Sequence, residues 1–198
     1  MRKKSAMELS LDLNKRYTYA DYYTWWDNTR RELLHGLIKL MSPAPTAQHQ
    51  EITGNLYGEL RYTVKKHKGK CKVFIAPFDV RLPKNGEKED ALIDTVVQPD
   101  VCIVCDPAKI DRRGCLGAPD FIAEVQSLST SKYDLSEKFA LYEASGVREY
   151  WVVFPSEGVQ VFLLQPDGKY DEGTVYETGK VPVHIFDGLE INLEEIMG

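Results

Sequence analysis

The order of apolar and polar residues predicts a chain in which strands alternate with helices. Runs rich in β-branched and aromatic residues predict strands, and they cover residues 73–82, 96–105, 121–125, 149–154, 159–164 and 175–185. Helical spacing predicts one helix from Thr46 to about Lys66 and another over residues 134–144, which Gly146 would end. The inner stripe of the first helix would be His49, Ile52, Leu56, Leu60 and Val64. We therefore expect an α/β fold with a central mixed β-sheet flanked by helices.

Shorter elements are predicted near both ends of the chain. Residues 18–27 read as a short helix with Thr18 and Asp21 in capping-box spacing, and its aromatic residues predict a packed lid or a partner surface. Residues 32–41 predict a strand pair turning at His35 and Gly36, followed by a breaker at residues 42–45. A polar turn is expected at residues 127–132, and residues 189–196 form a short closing element.

Length and charge narrow the class of protein. The chain has 198 residues, 43% of them hydrophobic, which suits one domain over residues 1–198. Its net charge of -5 argues against a simple DNA-coating role but leaves a local basic groove open. Residues 1–4 resemble the start of a signal peptide, yet Ser10 and Asp12 interrupt the apolar run that should follow. We expect no membrane span and a cytoplasmic location.

Four cysteines raise the question of a zinc site. Cys102 and Cys105 have C-x-x-C spacing, but they fall in a predicted strand, where positions three apart face opposite sides. A zinc knuckle needs a turn, and the sequence has no second C-x-x-C pair. The pattern therefore favours buried structural thiols at all four positions.

Two carboxylates lie in or beside apolar strands, where burying a charge costs free energy unless a metal, a partner or a reaction compensates for it. In the strand 121–125, Glu124 shares a face with Ile122 and Gln126. Asp100 lies on the same side of its strand as Cys102. If the two strands are neighbours, the carboxylates converge and suit Mg²⁺ or Mn²⁺.

A lysine lies on the inward row of the helix that follows these strands. Leu135, Lys138 and Tyr142 are spaced at i, i+3 and i+7, which separates Lys138 from the solvated face of the helix. Such a lysine can orient or deprotonate a metal-bound water, or neutralise charge on a phosphate. Metal-assisted hydrolysis of a phosphodiester uses all three groups.

The combination resembles the PD-(D/E)xK nuclease superfamily and, more narrowly, its Uma-type restriction endonuclease family. The resemblance runs from about Tyr17 to Ile196. It rests on residues 32–36, 49–50, 78–82, 98–101, 119–120, 124–125, Ser127, Ser129, Thr130, Asp134, Lys138, Tyr142 and 146–151. What it implies is a restriction-endonuclease-like fold and a metal-dependent endonuclease that cleaves DNA.

The resemblance also implies roles for individual residues. The acidic pair of the superfamily binds a divalent metal, which gives Asp100 and Glu124 that role, with Glu32 and His49 as outer contributors. The superfamily lysine stands two residues after the second acid, where this chain has Gln126. The lysine role would therefore pass to Lys138, while Gln126 holds water or phosphate. If Lys138 does not reach the acids, the expectation of catalysis fails.

Each of these residues also has a purely structural interpretation. Asp100 could be held by backbone N–H groups, Gln126 could be a strand-end amide, His49 a satisfied core histidine, and Lys138 could extend into water along the sheet edge. Glu32 could pair with Arg30 or Arg31, Asp79 with Arg81, and Asp120 could cap a turn.

Two other functions stay open from the sequence. The missing strand lysine and the acidic balance favour a catalytically inactive nuclease-fold module for binding or assembly. A nuclease acting on RNA or branched DNA is the other alternative. Exposed aromatics at residues 22–26 and at Tyr150 and Trp151 predict a homodimer, which would give a DNA nuclease two cutting sites.

Overall fold

The structure is a computed structural model that describes residues 9–27, 29–41, 44–66, 69–126 and 132–198. The helices are α1 (Tyr19–Tyr22), α2 (Ala47–Lys66), α3 (Lys132–Ser145) and α4 (Leu193–Met197). The strands are β1 (Arg31–Leu34), β2 (Leu37–Leu40), β3 (Lys72–Ile75), β4 (Val80–Arg81), β5 (Val96–Val97), β6 (Val101–Val104), β7 (Ile110–Asp111), β8 (Gly114–Leu116), β9 (Phe121–Val125), β10 (Glu149–Phe154), β11 (Gly158–Leu163), β12 (Thr174–Tyr176), β13 (Lys180–Pro182) and β14 (Glu190–Asn192).

The strands form two larger mixed sheets and one small pair. The first sheet has the order β12-β11-β10-β9-β6-β3, in which only β9 and β10 run parallel. The second has the order β2-β1-β5-β4-β8-β7, with β4 and β8 parallel. β13 pairs with β14. The predicted α/β fold with a mixed sheet is confirmed, but two such sheets replace the single one expected.

Helices cover both faces of the first sheet because β9 is apolar on both sides. Phe121, Ala123 and Val125 point to one face and belong to a buried cluster with the inner stripe of α2. Ile122 points to the other face and belongs to a cluster with Tyr142 of α3. Glu124 shares that second face, and it is therefore surrounded by apolar residues beneath α3.

Several local predictions are confirmed. α2 buries Ile52, Leu56, Leu60 and Val64, as its periodicity indicates. β9 and β10 have the predicted bounds. The hairpin between β1 and β2 turns at His35 and Gly36, both at positive φ, as a two-residue type I′ turn requires. α1 begins after the capping box at Thr18 as predicted, but it ends at Tyr22 instead of Asp27, whereas α3 ends before Gly146, whose φ is positive, as predicted.

Other predicted strands are wrong in extent. The run 73–82 divides into β3 and β4, and the run 96–105 divides into β5 and β6. Pro77 and Pro99 lie in the two interruptions and cannot donate a hydrogen bond to a strand ladder. In both cases the two halves join different sheets. The late run 175–185 also divides, with Gly179 at positive φ between β12 and β13, and β7 and β8 were not predicted.

The cysteine prediction is half right. Cys102 and Cys115 are free and buried, as expected. Cys71 and Cys105, however, form a disulfide between the ends of two paired strands, because β3 and β6 run antiparallel with Lys72 opposite Val104. Cys71 and Cys105 are therefore not free thiols.

The aromatic residues are less exposed than predicted. Tyr150 and Trp151 are fully buried in β10, so the expectation of an exposed pair there is wrong. Tyr19 is buried as well, whereas Trp26 is 82% exposed. Among the described residues, no helix combines the length and apolar character needed to cross a membrane.

A few predictions cannot be compared with the structure. They concern residues 1–4, Ser42, Pro43 and residues 127–131, which lie outside the described residues, as do the side chains of Asp134 and Leu135.

Candidate active site

Two carboxylates face each other across paired strands. The antiparallel register of β6 and β9 places Val101 opposite Ala123, so Asp100 comes opposite Glu124 on the same face of the sheet. Asp100 Oδ2 also accepts a hydrogen bond of 2.9 Å from the backbone N–H of Val125. Both acids line a cleft of about 310 Å³. The structure thus brings together the two acids that the sequence predicted to converge.

Lys138 enters this cleft from α3 and lies between two carboxylates. Its Nζ is 2.8 Å from Glu124 Oε1 and 3.4 Å from Glu32 Oε1. Only 19% of its side chain is exposed, so it does not run along the sheet edge into water. Glu32 comes from β1 of the second sheet, and its Oε1 also accepts a 2.8 Å hydrogen bond from the backbone N–H of Gln98. The ammonium therefore links acids from both sheets.

Tyr142 is a member of the site for which the sequence suggested no role. Its hydroxyl donates a 2.6 Å hydrogen bond to Glu124 Oε1, the same oxygen that contacts Lys138. The available signal was its position four residues after Lys138, on the same inward row of the helix. Buried tyrosine hydroxyls usually find a partner, and here the partner is the buried acid.

The protonation of the buried pair follows from burial and charge together. Burial raises the pKa of Glu124, Lys138 opposes it, and Asp100 and Glu32 raise it further, so that the pKa is about 7. Burial lowers the pKa of Lys138, but Glu124 and Glu32 outweigh it and hold that pKa above its ordinary value. Lys138 is therefore a stable cation, whereas Glu124 titrates near neutral pH.

His49 and Gln126 are also placed at the cleft. His49 Nε2 lies 3.2 Å from Asp100 Oδ2, and its Nδ1 is 3.3 Å from Thr53 Oγ1. The hydrogen bond with Asp100 raises the pKa of His49, although burial acts in the opposite direction. Gln126 lines the cleft with its side chain, while its backbone N–H donates to Val153 O.

Three other charged residues named from the sequence lie elsewhere. Asp79 accepts a 2.9 Å hydrogen bond from Gln98, whereas Arg81 pairs with Asp111 at 2.7 Å, so the predicted Asp79–Arg81 ion pair is wrong. Asp120 accepts a 2.8 Å hydrogen bond from the backbone N–H of Cys105 and pairs with Arg148 at 3.2 Å, so it makes long-range contacts and not the predicted local turn cap.

The arginines suggested as partners of Glu32 contact other groups. Arg31 pairs with Asp27, and Arg30 donates to Gln98. Arg30 nevertheless lines the cleft, as does Lys39, which pairs with Glu137 at 3.0 Å. Together with Lys138 they give three basic side chains around the four acids Glu32, Asp100, Glu124 and Glu137. The cleft is therefore of mixed charge although the chain as a whole is acidic.

The donor set of the cleft suits a hard cation. The carboxylates of Asp100 and Glu124 are oxygen donors on adjacent strands, and Mg²⁺ commonly binds through one or two carboxylates while keeping several waters. Within the described ranges, no group of three or more His, Cys, Asp or Glu side chains has the spacing of a complete metal cage. A two-carboxylate site is thus the arrangement that the geometry can provide.

Comparisons with known proteins agree with this architecture. The family Uma2, described as "Putative restriction endonuclease", matches residues 19–194. A crystal structure of a putative nuclease belonging to DUF820 from Anabaena variabilis is similar, with a TM-score of 0.71 at 17% sequence identity. The similarity covers 91% of this chain and 97% of that chain. No curated protein matches the sequence. The shared architecture is a restriction-endonuclease-like fold.

Proposed function

Because this chain belongs to the Uma2 family of restriction-endonuclease-like proteins, we propose that it is a metal-dependent endonuclease that hydrolyses DNA phosphodiester bonds. The observation that supports the proposal is the meeting of Asp100, Glu124 and Lys138 in one cleft. These residues come from two neighbouring strands and a helix, and no requirement of the core brings charged groups together there.

In this proposal Asp100 and Glu124 hold Mg²⁺ or Mn²⁺. When bound, the cation lowers the pKa of a coordinated water and polarises the phosphate. Glu32 and His49 are outer contributors, since Glu32 contacts Lys138 and His49 contacts Asp100. His49 positions the Asp100 carboxylate from α2, while the N–H of Val125 fixes the same oxygen from β9.

Lys138 supplies charge to the reaction. Hydrolysis joins a water oxygen to phosphorus and breaks one ester P–O bond, and negative charge grows on the phosphate oxygens in the transition state. A lysine whose pKa is held high by Glu124 and Glu32 against burial keeps its proton, so it is a poor general base. We therefore assign Lys138 to stabilising this charge and to orienting the attacking water.

Gln126 takes the place that the superfamily lysine occupies on the strand. A neutral amide both donates and accepts hydrogen bonds, which suits it to hold the water or a phosphate oxygen. Its position at the end of β9 places it along the same cleft wall as Glu124. In this arrangement the cation comes from the helix and the amide from the strand.

The proposal also covers DNA as the binding partner, the oligomeric state and the cellular location. Arg30 and Lys39 line the cleft and provide positive charge for a DNA backbone. A homodimer would present two such clefts, and Trp26 and Tyr23, which are exposed in the segment predicted to form the interface, are available for it. Gel filtration at a mass of twice 22.6 kDa is the expected result, and a monomeric mass would contradict the dimer. We place the activity in the cytoplasm.

The test of catalysis is Glu124→Gln, assayed with Mg²⁺ and with Mn²⁺ on linear, circular and single-stranded DNA. We expect cleavage to fall by at least about a hundredfold, as is typical when a group acting on the transition state is lost. Glu59→Gln, on α2 and outside the cleft, is the matched control and should retain activity. Equal cleavage by Glu124→Gln and the parent protein would refute the assignment.

Two observations favour a second function, which is a catalytically inactive module for binding or assembly. Gln126 stands where the superfamily lysine is expected, and the described residues form no complete metal cage. Under this alternative, Mg²⁺ should not raise the melting temperature of the parent protein or of Asp100→Asn. A metal-dependent shift that Asp100→Asn abolishes would exclude it.

A further inference from the structure

A second cavity adjoins the candidate active site. It has a volume of about 270 Å³, and Tyr22, Trp25, Arg30 and Gln98 are among the residues that line it. Arg30 lines the cleft of the acids as well, so the two cavities share a wall. Gln98 provides a second connection, because its backbone N–H donates to Glu32 while its side chain lines the second cavity. A ligand in the cleft would therefore be separated from this cavity by the Arg30 side chain.

The two arginines of the cavity differ in their partners. Arg31 is neutralised by Asp27, with Nη2 at 2.6 Å from Oδ2. Arg30 donates to the neutral amide oxygen of Gln98 at 3.1 Å, and among the described residues no carboxylate pairs with it. Arg30 is thus a positive charge at the junction of the two cavities with an unused capacity for an anion.

Arg30 is also held in a defined orientation. Gln98 Nε2 donates to Asp79 Oδ1 at 2.9 Å and to the Tyr22 hydroxyl at 3.2 Å. These two hydrogen bonds fix which way the amide points, so its oxygen faces Arg30. A preorganised guanidinium loses little freedom when it binds a phosphate, which is the anion that its planar fork suits.

The lining also contains two aromatic side chains, together with Asp27, Thr29 and Pro77. Tyr22 and Trp25 lie with their ring centroids 5.6 Å apart, and both are only partly buried. Aromatic side chains beside a basic group are the elements that bind unpaired bases by stacking. The volume is just below the range of about 300–1,000 Å³ for sites of drug-sized ligands, so the cavity can enclose one unpaired base but not a base pair.

We propose that this cavity binds one unpaired nucleotide of a nucleic-acid strand whose neighbouring phosphate lies at Glu124 and Asp100. Arg30 contacts the phosphate between the two positions, and Tyr22 and Trp25 contact the base. Gln98 is a positioning residue that orients Arg30. The inference rests on the proposed function, and it adds that the substrate is single-stranded or locally unpaired at the site of cleavage.

Intrinsic fluorescence can test the proposal without cleavage. The chain has three tryptophans, of which Trp151 is buried and Trp25 and Trp26 are adjacent. In the Glu124→Gln protein without divalent cation, a short single strand of thymidylate should quench the fluorescence. Trp25→Phe should remove the quenching, whereas Trp26→Phe should retain it, because Trp26 does not line the cavity. A duplex of the same length should quench less.

Arg30 provides a second, independent measurement. Arg30→Gln should weaken binding of the single strand by about tenfold or more, as expected for the loss of a hydrogen bond to a charged group. Arg61→Gln, on α2 and outside both cavities, is the matched control and should bind like the parent. Quenching that follows Trp26, or an Arg30→Gln protein that binds normally, would overturn the subsite.

The outcome is separate from that of the cleavage test. If Glu124→Gln cleaves DNA like the parent protein, the catalytic assignment fails whatever the fluorescence shows. If cleavage is lost but Trp25→Phe quenches like the parent, the subsite fails and the catalytic assignment stands.

Discussion

Lys138→Met should destabilise the metal-free protein in a way that depends on pH. Methionine keeps the unbranched stem but removes the ammonium that lies 2.8 Å from Glu124 and 3.4 Å from Glu32. Removing one partner of a buried ion pair typically costs about 3–5 kcal/mol, because the remaining charge is left without compensation. The full cost is expected only at a pH at which Glu124 is ionised in the parent protein.

The sign of the pH effect follows from the pKa of Glu124. Folding raises that pKa from an ordinary 4.5 to about 7, so the parent protein loses stability as the pH rises through this window. The variant loses stability in parallel up to about pH 7. Above pH 7 the stability of the parent protein levels off, whereas the stability of the variant continues to fall. The reason is that without Lys138 the pKa of Glu124 is higher still. The two proteins should therefore diverge by up to about 1.4 kcal/mol for each pH unit above 7.

Urea denaturation near pH 6 and near pH 9, with a chelator present, measures the difference. The free energy of unfolding should fall by about 3–5 kcal/mol near pH 9 and by markedly less near pH 6. Lys39→Met is the control, since Lys39 is 39% exposed and pairs with Glu137, and it should lose less than about 1 kcal/mol. The reasoning is refuted if Lys138→Met loses the same free energy at both pH values, or no more than Lys39→Met.

Three further outcomes are expected. Mg²⁺ should raise the melting temperature of the protein. The apparent affinity for Mg²⁺ should be about tenfold weaker near pH 6 than well above pH 7, because binding requires ionised Glu124. Calorimetry that finds the same affinity at both pH values would contradict this prediction. Tyr142→Phe should lower the free energy of unfolding by about 1–3 kcal/mol through the lost hydrogen bond to Glu124, while exposed Tyr62→Phe should have little effect in the same denaturation assay. Reduction of the Cys71–Cys105 disulfide, which spans 34 residues, should cost about 4 kcal/mol, and a protein with both cysteines changed to serine should not respond to the reductant.

Local periodicity was sufficient for β9 and α3, the elements that carry Glu124 and Lys138, but not for Asp100, which lies between β5 and β6 where one continuous strand was predicted. The alternation along β9 places Glu124 on the face opposite to Ala123 and Val125. The spacing along α3 directs Lys138 inward. Both depend only on residues within a few positions of each other. The convergence of Asp100 and Glu124 also requires that β6 and β9 pair, and local periodicity leaves that pairing as an assumption.

The contacts that the sequence did not establish are long-range. Glu32 reaches the site because β1 pairs with β5, which brings it to the backbone of Gln98, 66 residues away. The disulfide similarly needs the register of β3 and β6, and no local pattern states which strands pair. The division of two predicted strands does have a local signal, because Pro77 and Pro99 interrupt their runs and cannot donate a hydrogen bond to a strand ladder.

The short connection between β5 and β6 has a mechanical consequence. Val97 ends a strand of the second sheet and Val101 begins a strand of the first, so Asp100 lies at the junction of the two sheets. A slight shift of one sheet relative to the other would alter the separation of Glu32 from Asp100 and Glu124. Substitutions within either sheet can thus change the chemistry at the junction, even where the altered side chain lies far from every acid.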